Sequence, residues 1–558
     1  RARPVRTRVT PLLPMPDLFS STSSPEADGT GALPPAKARK VGSPSIVRGA
    51  DAALLAAAAM KARWSSLVLV EVTSTSPDYI KPWKMHSQRS CKGSGFVIEG
   101  GRILTNYHVV QDAIDVRLRK HGVSRRWRGT VLARGPDVDL ALLAVHEDEE
   151  GRGDSFWNGV TPAVWCSTLP ALQSAVHVIG FPTGGTTISV TQGVVSRVDC
   201  KNYRVGSSAF ANSGGLLVLQ IDAAINAGNS GGPAFCSDGS VVGVAFQSLG
   251  GAADGIGYLI PTQVCLNFLA AVAGGEYKGI SDVPFLAREL RNASLRRRHR
   301  VPDDVTGVLV TRASSHSALG VRVDDVVLSI DGKKVGDDGS VELRESELVS
   351  YEFLLTGKQR GEPTSVLVLR GGERVQLCAP LSQLPRRLPR NHGFDCFPHY
   401  VIIGGLVFVR LCCPMLEDKR SKGHHSAIYD LVNYQIARSF PPADGGGEGG
   451  EVAEILLLTE ILAAPLNYGY TCHAWRVLDT LNGQRPKSLR ALHQMYRAVP
   501  DGAFLEFVFS HGGDQIVLDA TECRQSEPDI LQLHAIPSAT SDGLQGGGEE
   551  PAAPAPAP

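Results

Sequence analysis

The stretch QIDAAINAGNSGGPAF, residues 220–235, decides how this sequence is interpreted. At its centre, Ser230 follows Gly228 and Asn229 and precedes the pair Gly231-Gly232. A serine that attacks a carbonyl group needs backbone N–H groups aimed at the developing oxyanion, and glycines permit the tight turn that presents them. We therefore predict that Ser230 is a nucleophile and that Gly228, Asn229 and Ser230 form an oxyanion hole, with the amides of Gly228 and Ser230 as donors.

Two earlier segments contain the side chains that a nucleophilic serine requires. His108 lies in LTNYHVV, residues 104–110, at the predicted end of a strand, and imidazole titrates close enough to neutral pH to take the serine proton. Asp139 begins the apolar run DLALL, so it is predicted to be buried and to orient the imidazole. Asp137 is the competing assignment, but it precedes the apolar run and should be more exposed. The order His, Asp, Ser is the chymotrypsin-type order.

The composition is that of a globular protein with several domains. The chain has 558 residues, which corresponds to about three or four domains. Lys+Arg and Asp+Glu number 56 each, and a zero net charge argues against nucleic acid as a partner. The 11 cysteines include no CxxC pair, so zinc spacing is absent, no metal or cofactor is predicted, and the thiols are expected to be reduced. No apolar run reaches the roughly 18–20 residues that span a bilayer, so no integral membrane segment is predicted.

The ends of the chain are predicted to be disordered. Residues 1–50 are rich in Pro, Ser and Ala, and the tail at 540–558 ends in PAAPAPAP. The first residues are basic, free of acids before Asp17, and followed by FSSTSSP, which is typical of an organellar transit peptide. PAKARK at 35–40 is the alternative, a weak nuclear signal.

Between the ends, three units are predicted. Residues 51–275 begin with a short helix at 51–63, continue with many short β-rich runs and close with a helix at 262–273, which favours a barrel or sandwich. The units at 280–388 and 392–525 each contain a strand with a turn, a helix and a hairpin, which suggests a duplicated module. The helices are predicted at 345–357 and 488–499.

At this level of detail the sequence resembles the Deg/HtrA serine proteases. The resemblance covers about 66–270 and is carried by GSGFVI, LTNYHVV, DLALL, VIGFPTGG, SVTQGVVSR, QIDAAINAGNSGGPAF, GVAFQ and IGYLIPT. Residues 77–83, 156–157 and 536–544 resemble the plant-type branch of that family most closely. The resemblance implies a mostly β protein: a chymotrypsin-like double β-barrel followed by two α+β PDZ-like domains.

The resemblance also implies a function. It indicates an ATP-independent endopeptidase that cuts unfolded or damaged proteins, assembles as a trimer or a multiple of trimers, and works inside a plant chloroplast or mitochondrion, with the nucleus as the alternative. It places Ile225, Ala245 and Phe246 around the substrate pocket. Such an apolar pocket should accept medium aliphatic side chains such as Val or Ile with modest selectivity.

Three positions depart from the family pattern or bear on it. Tyr107 stands beside the histidine where the family usually has a small residue. It is expected to repack the wall of the site, to shift His108, or to gate the site with its hydroxyl bonded to a neighbour. The segment 284–287, PFLA, lacks the glycine expected in a carboxylate-binding loop of the first PDZ-like unit. In the second unit, Gly404-Gly405 is predicted to free backbone N–H groups for that loop or for β-pairing between subunits.

Two other functions compete with an active endopeptidase. A catalytically weakened PDZ scaffold or chaperone-like binder would keep the fold and lose the reaction because of Tyr107. An esterase would use the same triad, but the chain lacks a GxSxG elbow that leads into a helix.

Overall fold

The computed structural model describes residues 63–146, 155–203, 215–248, 255–275, 277–384, 389, 397–417, 453–510 and 514–541. The predicted helix at 51–63 and the predicted disordered segments 1–50 and 540–558 lie outside these residues, apart from residues 63, 540 and 541. The prediction of a disordered tail is wrong at its first two residues, because Thr540 pairs with Val401 and the amide of Ser541 donates to Tyr400 O. Within them, no helix is long and apolar enough to cross a membrane.

The first barrel is closed by six antiparallel strands in the order β1-β2-β3-β6-β5-β4. Apolar and β-branched side chains alternate along these strands and fill the barrel interior. A single helical turn, α1, follows β3. The bounds are β1 Leu67–Ser74, β2 Arg89–Ile98, β3 Arg102–Thr105, α1 Tyr107–Val110, β4 Ala113–Lys120, β5 Trp127–Gly135 and β6 Leu140–His146.

The second barrel repeats this architecture in the order β10-β11-β12-β9-β8-β7 and ends in helix α2. One buried cluster contains side chains of both barrels, among them Phe96 and Leu104 of the first and Ile179 and Phe235 of the second, so the barrels pack directly on each other. The bounds are β7 Ala175–Gly180, β8 Ser189–Lys201, β9 Leu216–Ile221, β10 Pro233–Cys236, β11 Val241–Ser248, β12 Gly257–Pro261 and α2 Thr262–Ala273.

The third unit is a sheet in the order β13-β14-β15-β19-β20, with β16 paired to β15 and a separate β17–β18 hairpin. The helix predicted at 345–357 is wrong in its first half, because residues 347–350 pair with β17. The bounds are β13 Phe285–Arg288, α3 Ala293–Arg298, β14 Val308–Ala313, β15 Val326–Ile330, β16 Lys333–Lys334, β17 Ser340–Arg344, β18 Glu347–Ser350, α4 Glu352–Thr356, β19 Pro363–Arg370 and β20 Glu373–Pro380.

The fourth unit is a sheet in the order β21-β22-β23-β24-β25-β26, and its described residues also form three α-helices. It extends beyond the predicted limit of 525, because α7 continues to Leu533 and the amide of Ile402 in β21 donates to Ala539 O at 2.7 Å. The bounds are β21 Tyr400–Ile403, β22 Leu406–Arg410, α5 Cys413–Glu417, β23 Leu456–Ile461, β24 Arg476–Leu481, α6 Leu489–Ala498, β25 Phe504–Phe509, β26 Gln515–Asp519 and α7 Ala520–Leu533.

The third unit is fastened to the second barrel by polar contacts. The Arg344 guanidinium donates to Leu169 O at 3.0 Å and to Pro170 O at 2.9 Å. Glu352 accepts from the amide of Gly215 at 2.8 Å, and the Thr356 hydroxyl donates to the carbonyl of the same glycine at 2.7 Å. The start of β9 is therefore held by the third unit.

The fourth unit contacts the connection between β1 and β2 instead. Ile80 is buried in one cluster with Ile536, and its carbonyl accepts from the Thr459 hydroxyl at 3.3 Å. Lys81 forms an ion pair with Glu460 at 2.9 Å. Two of the three segments that resemble the plant-type branch, 77–83 and 536–544, thus meet in space. The predicted mostly β class, with two barrels followed by α+β units, is confirmed.

Candidate active site

His108 and Asp139 meet on the first barrel. His108 is the second residue of α1, which begins directly after β3, and Asp139 precedes β6. The Nδ1 atom of His108 lies 2.7 Å from Oδ2 of Asp139, and the backbone N–H of His108 donates to Oδ1 at 2.9 Å. One carboxylate therefore fixes both the position and the ring orientation of the histidine. His108 lies just past the strand end where the sequence places it.

The geometry separates the two aspartates that the sequence leaves as candidates. Asp139 is 1 % exposed, and its carbonyl accepts from the side-chain amide of the buried Asn106 at 2.8 Å. Asp137 is only half-buried, and its carboxylate accepts from the amide of Ile280 at 3.4 Å, at the junction with the third unit. Asp139 alone of the two contacts His108.

Ser230 lies in a tight turn of the second barrel just before β10. Gly228 and Gly231 adopt φ angles of 97° and 84°, and a Cβ on Gly231 would lie 2.1 Å from Ser94 O and 3.0 Å from Asn106 N. The turn therefore contacts the segment of the first barrel that leads into His108. The Ser230 side chain is partly exposed and has no hydrogen bond to another described residue, which is common where catalytic hydrogen bonds tighten only with substrate.

The amides of this turn divide into two classes. The Asn229 N–H donates to Asn226 O at 2.9 Å, so it is used within the turn. The N–H groups of Gly228 and Ser230 have no hydrogen-bond partner among the described residues. Two adjacent unpaired donors beside a serine form the arrangement that binds an oxyanion. The backbone N–H of Asn229 therefore stabilises the turn and is not free to donate to an oxyanion.

The electrostatics of the pair favour a protonated imidazole. Burial lowers the pKa of His108, but the charge of Asp139 and its hydrogen bond outweigh burial and raise this pKa above its usual 6.5. A base with a pKa near neutral pH accepts a serine proton and returns it to a leaving amine. The part of the chain that the structure describes contains no cluster of three or more His, Cys, Asp or Glu side chains that could hold a metal ion.

Comparison with known proteins identifies two domain types and several relatives. A family model for the trypsin-like peptidase domain matches residues 93–244, and one for the PDZ domain matches residues 389–543. The Arabidopsis thaliana protein named protease Do-like 2, chloroplastic, is 34% identical over 484 residues, which cover 86% of this chain and 75% of the relative. Protease Do-like 4, mitochondrial, of the same plant is 32% identical over 529 residues, or 94% of this chain and 91% of the relative.

The chain belongs to the Deg/HtrA family of Do-like serine proteases. For a member of this family, Tyr107 is an unusual neighbour of the histidine. Its ring is 1 % exposed and packs in the cluster shared by the two barrels, while the pairing of His108 with Asp139 is intact. The ring of Tyr107 is therefore accommodated in this buried cluster, and His108 keeps its contact with Asp139.

The three residues predicted to line the substrate pocket do not come together. Ile225 and Ala245 belong to one buried cluster. Phe246 belongs to another, where its ring lies 4.7 Å from that of Tyr203. The pairing register with β12 shifts between Ala245 and Gln247, so Phe246 stands at an irregularity of the strand. Ile225 and Ala245 remain candidates for the pocket wall. The aromatic ring of Phe246 is turned away from them.

The prediction for the glycine turn of the fourth unit is wrong. Gly404 and Gly405 form the buried turn between β21 and β22, where Asn467 donates to Gly404 O at 2.9 Å and Cys523 Sγ would lie 2.6 Å from a Cβ on Gly404. The free edge of β21 pairs with residues 539–541 of the same chain. Neither a carboxylate-binding loop nor β-pairing between subunits is available at this turn, because the chain's own C-terminal elements cover it.

Sequence reasoning missed Ser94, which is buried and bonded to the turn of Ser230. Its amide donates to Ser230 O at 2.8 Å, and its hydroxyl donates to Gly228 O at 2.7 Å. The only signal in the sequence is its place in GSGFVI, which resembles the family but does not reveal what the hydroxyl contacts.

Proposed function

We propose that this chain is a serine endopeptidase in which Ser230, His108 and Asp139 act as a catalytic triad. The observation that carries the proposal is the fixed His108–Asp139 pair beside a serine turn that has two unpaired amides. Scaffolding alone does not require unpaired amides, since buried polar groups are usually satisfied.

The reaction follows from these contacts. The Ser230 hydroxyl attacks the scissile carbonyl and passes its proton to Nε2 of His108, whose Nδ1–H donates to Asp139. The oxyanion accepts hydrogen bonds from the amides of Gly228 and Ser230. His108 then protonates the leaving amine, and water, activated by the same histidine, hydrolyses the acyl-enzyme. None of these steps needs a nucleotide, a metal or a cofactor, so the endopeptidase is ATP-independent.

The substrates proposed are unfolded or damaged proteins, as the family resemblance implies. An assembly of trimers is proposed on the family resemblance. Work inside a chloroplast or mitochondrion is proposed because the two relatives above are named chloroplastic and mitochondrial.

Casein degradation in nucleotide-free buffer tests the activity. We expect the wild-type chain to degrade casein with apyrase present, and Ser230→Ala to leave casein intact. Equal, negligible cleavage by both proteins would contradict the proposal and favour the scaffold function.

Light scattering on the same samples should give a mass of three, or a multiple of three, times 59.4 kDa. A fully active monomer would contradict the assembly.

A further inference from the structure

Ser94 connects the first barrel to the turn that carries the nucleophile. It lies in β2, is 0 % exposed, and is separated from Gly228 by 134 residues of sequence. Its hydroxyl donates to Gly228 O at 2.7 Å and accepts from Phe181 N at 2.8 Å, while its amide donates to Ser230 O at 2.8 Å. Its own carbonyl accepts from the Thr105 hydroxyl at 2.7 Å. Ser94 thus makes three hydrogen bonds to the second barrel, two of them through its hydroxyl, and its carbonyl accepts one within the first barrel.

The direction of the hydroxyl proton is fixed by these partners. A serine hydroxyl has one proton to donate, and the Phe181 amide can only donate, so the proton points at Gly228 O. The surroundings are tight, since a Cβ on Gly180 would lie 2.7 Å from the Ser94 oxygen. The hydroxyl therefore holds the Gly228 carbonyl in one orientation.

The carbonyls of the turn show why this contact is special. Ala227 O accepts from Thr183 N at 2.7 Å, Asn229 O accepts from Gly232 N at 2.9 Å, and Ser230 O accepts from Ser94 N. These three are held by backbone amides. Ala227 O also accepts from the Thr183 hydroxyl at 3.0 Å. Of these four described carbonyls, that of Gly228 is the one held by a side chain without a backbone amide. Gly228 has a φ of 97°, a backbone conformation that glycine adopts readily because it lacks a Cβ.

We propose that Ser94 is a positioning residue for catalysis. The Gly228 carbonyl shares its peptide plane with the Asn229 amide, so the Ser94 hydroxyl fixes the C-terminal side of Gly228. The peptide that contains the Gly228 amide is held through Ala227 O by Thr183. Together these contacts limit rotation about Gly228 and keep its amide aimed at the oxyanion. Ser94 does not touch substrate and acts through the turn. This inference rests on the proposed function, in which Gly228 and Ser230 supply the oxyanion donors.

Ser94→Ala tests the inference, with Thr105→Val as the matched control. Ser94→Ala removes the buried hydroxyl that donates to Gly228 O, and Thr105→Val removes the buried hydroxyl that donates to Ser94 O. Only the first substitution therefore frees the Gly228 carbonyl. Removing a complete oxyanion donor costs about 100- to 1,000-fold in kcat, so a loosened donor should cost about 10- to 100-fold. KM for a chromogenic peptide should change by less than about threefold, because the contact acts mainly in the transition state. Thr105→Val should stay within about threefold of wild type in kcat.

Active-site titration with a fluorophosphonate separates positioning from unfolding. In Ser94→Ala the labelled fraction should match wild type while the labelling rate falls, and kcat is calculated per labelled molecule. A smaller labelled fraction with an unchanged rate, or equal losses in both variants, would overturn the inference. If wild type is active and Ser94→Ala has the same kcat, this inference is overturned and the proposed function stands. A wild type that neither cleaves nor labels overturns the proposed function and this inference with it.

Discussion

The two barrels contribute to the candidate site in different ways. The first barrel supplies His108 and Asp139, whose side chains bond to each other at 2.7 Å and so fix their own geometry. The second barrel supplies Ser230 on a turn whose backbone is held by the amide and the hydroxyl of Ser94 from the first barrel. The geometry of the His108–Asp139 pair is thus set by the two side chains themselves, whereas the conformation of the serine turn depends on contacts with a distant part of the chain.

Both barrels use left-handed backbone at the site, and they fill those positions differently. Asp139 has a φ of 51°, which aspartate tolerates better than most residues, and its side chain takes part in the pair with His108. Gly231 has a φ of 84° and no space for a side chain. In the first barrel the left-handed residue, Asp139, contributes its side chain to the candidate site. In the second barrel the left-handed residue, Gly231, lets the serine turn lie close to the backbone of the first barrel.

The largest expected effect comes from adding one methyl group to the second barrel. In Gly231→Ala the new Cβ would lie 2.1 Å from Ser94 O and 2.4 Å from the Thr105 hydroxyl, so the turn must move. We expect casein cleavage to fall to the level of Ser230→Ala, a loss of about 10⁶-fold if the triad acts as a unit.

Gly122→Ala is the control for backbone strain. Gly122 has a φ of 76°, and no atom lies within 4 Å of the position that a Cβ would occupy, so its substitution tests left-handed strain without a clash. It should retain activity. If Gly231→Ala also stays active, the turn does not pack tightly against the first barrel.

Among substitutions in the first barrel, Asp139→Asn should cause the largest loss of activity. The amide oxygen can still accept from the His108 backbone, but its NH₂ group would then face Nδ1 and force the proton onto Nε2. That tautomer cannot accept the serine proton, so kcat should fall by about 10⁴-fold with little change in fold. Asp137→Asn is the matched control and should change kcat by less than about threefold, because Asp137 contacts Ile280 instead. Equal losses would reassign the aspartate.

The pH dependence of kcat/KM tests the contribution of the first barrel, because the proposed base, His108, lies in that barrel. Burial lowers the pKa of His108, and the stronger effect of Asp139 raises it above 6.5, so kcat/KM should fall on the acid side with a midpoint above pH 6.5. One pH unit below that midpoint, about a tenfold loss is expected. Because the folded-state pKa is raised, the pair stabilises the fold most at low pH, and this contribution is lost as pH rises through that pKa. A midpoint below 6.5 in wild type would contradict the argument.

The sequence predicts the side-chain half of the site better than the backbone half. His108, Asp139 and Ser230 lie in short motifs whose residue types and order point to one chemistry. The role of Ser94 was missed, because the sequence does not show which residues meet across 134 positions. The strand at 347–350 was likewise hidden in a helix-like pattern, since only its pairing with β17 reveals it.

The smallest expected effect concerns the substrate pocket, where the second barrel again differs from its prediction. Ile225→Val removes one methylene from the candidate wall, which is worth about 0.8 kcal/mol, or about fourfold in relative kcat/KM between peptides that place Val or Leu at the cleaved position. Phe246→Leu should leave that ratio unchanged, because the Phe246 ring packs on Tyr203 and not on Ile225. The peptide pair is compared within each variant, so a general loss of stability cancels from the ratio. A change in the ratio for Phe246→Leu alone would return the aromatic ring to the pocket, and Ile225 would lose its assigned place there.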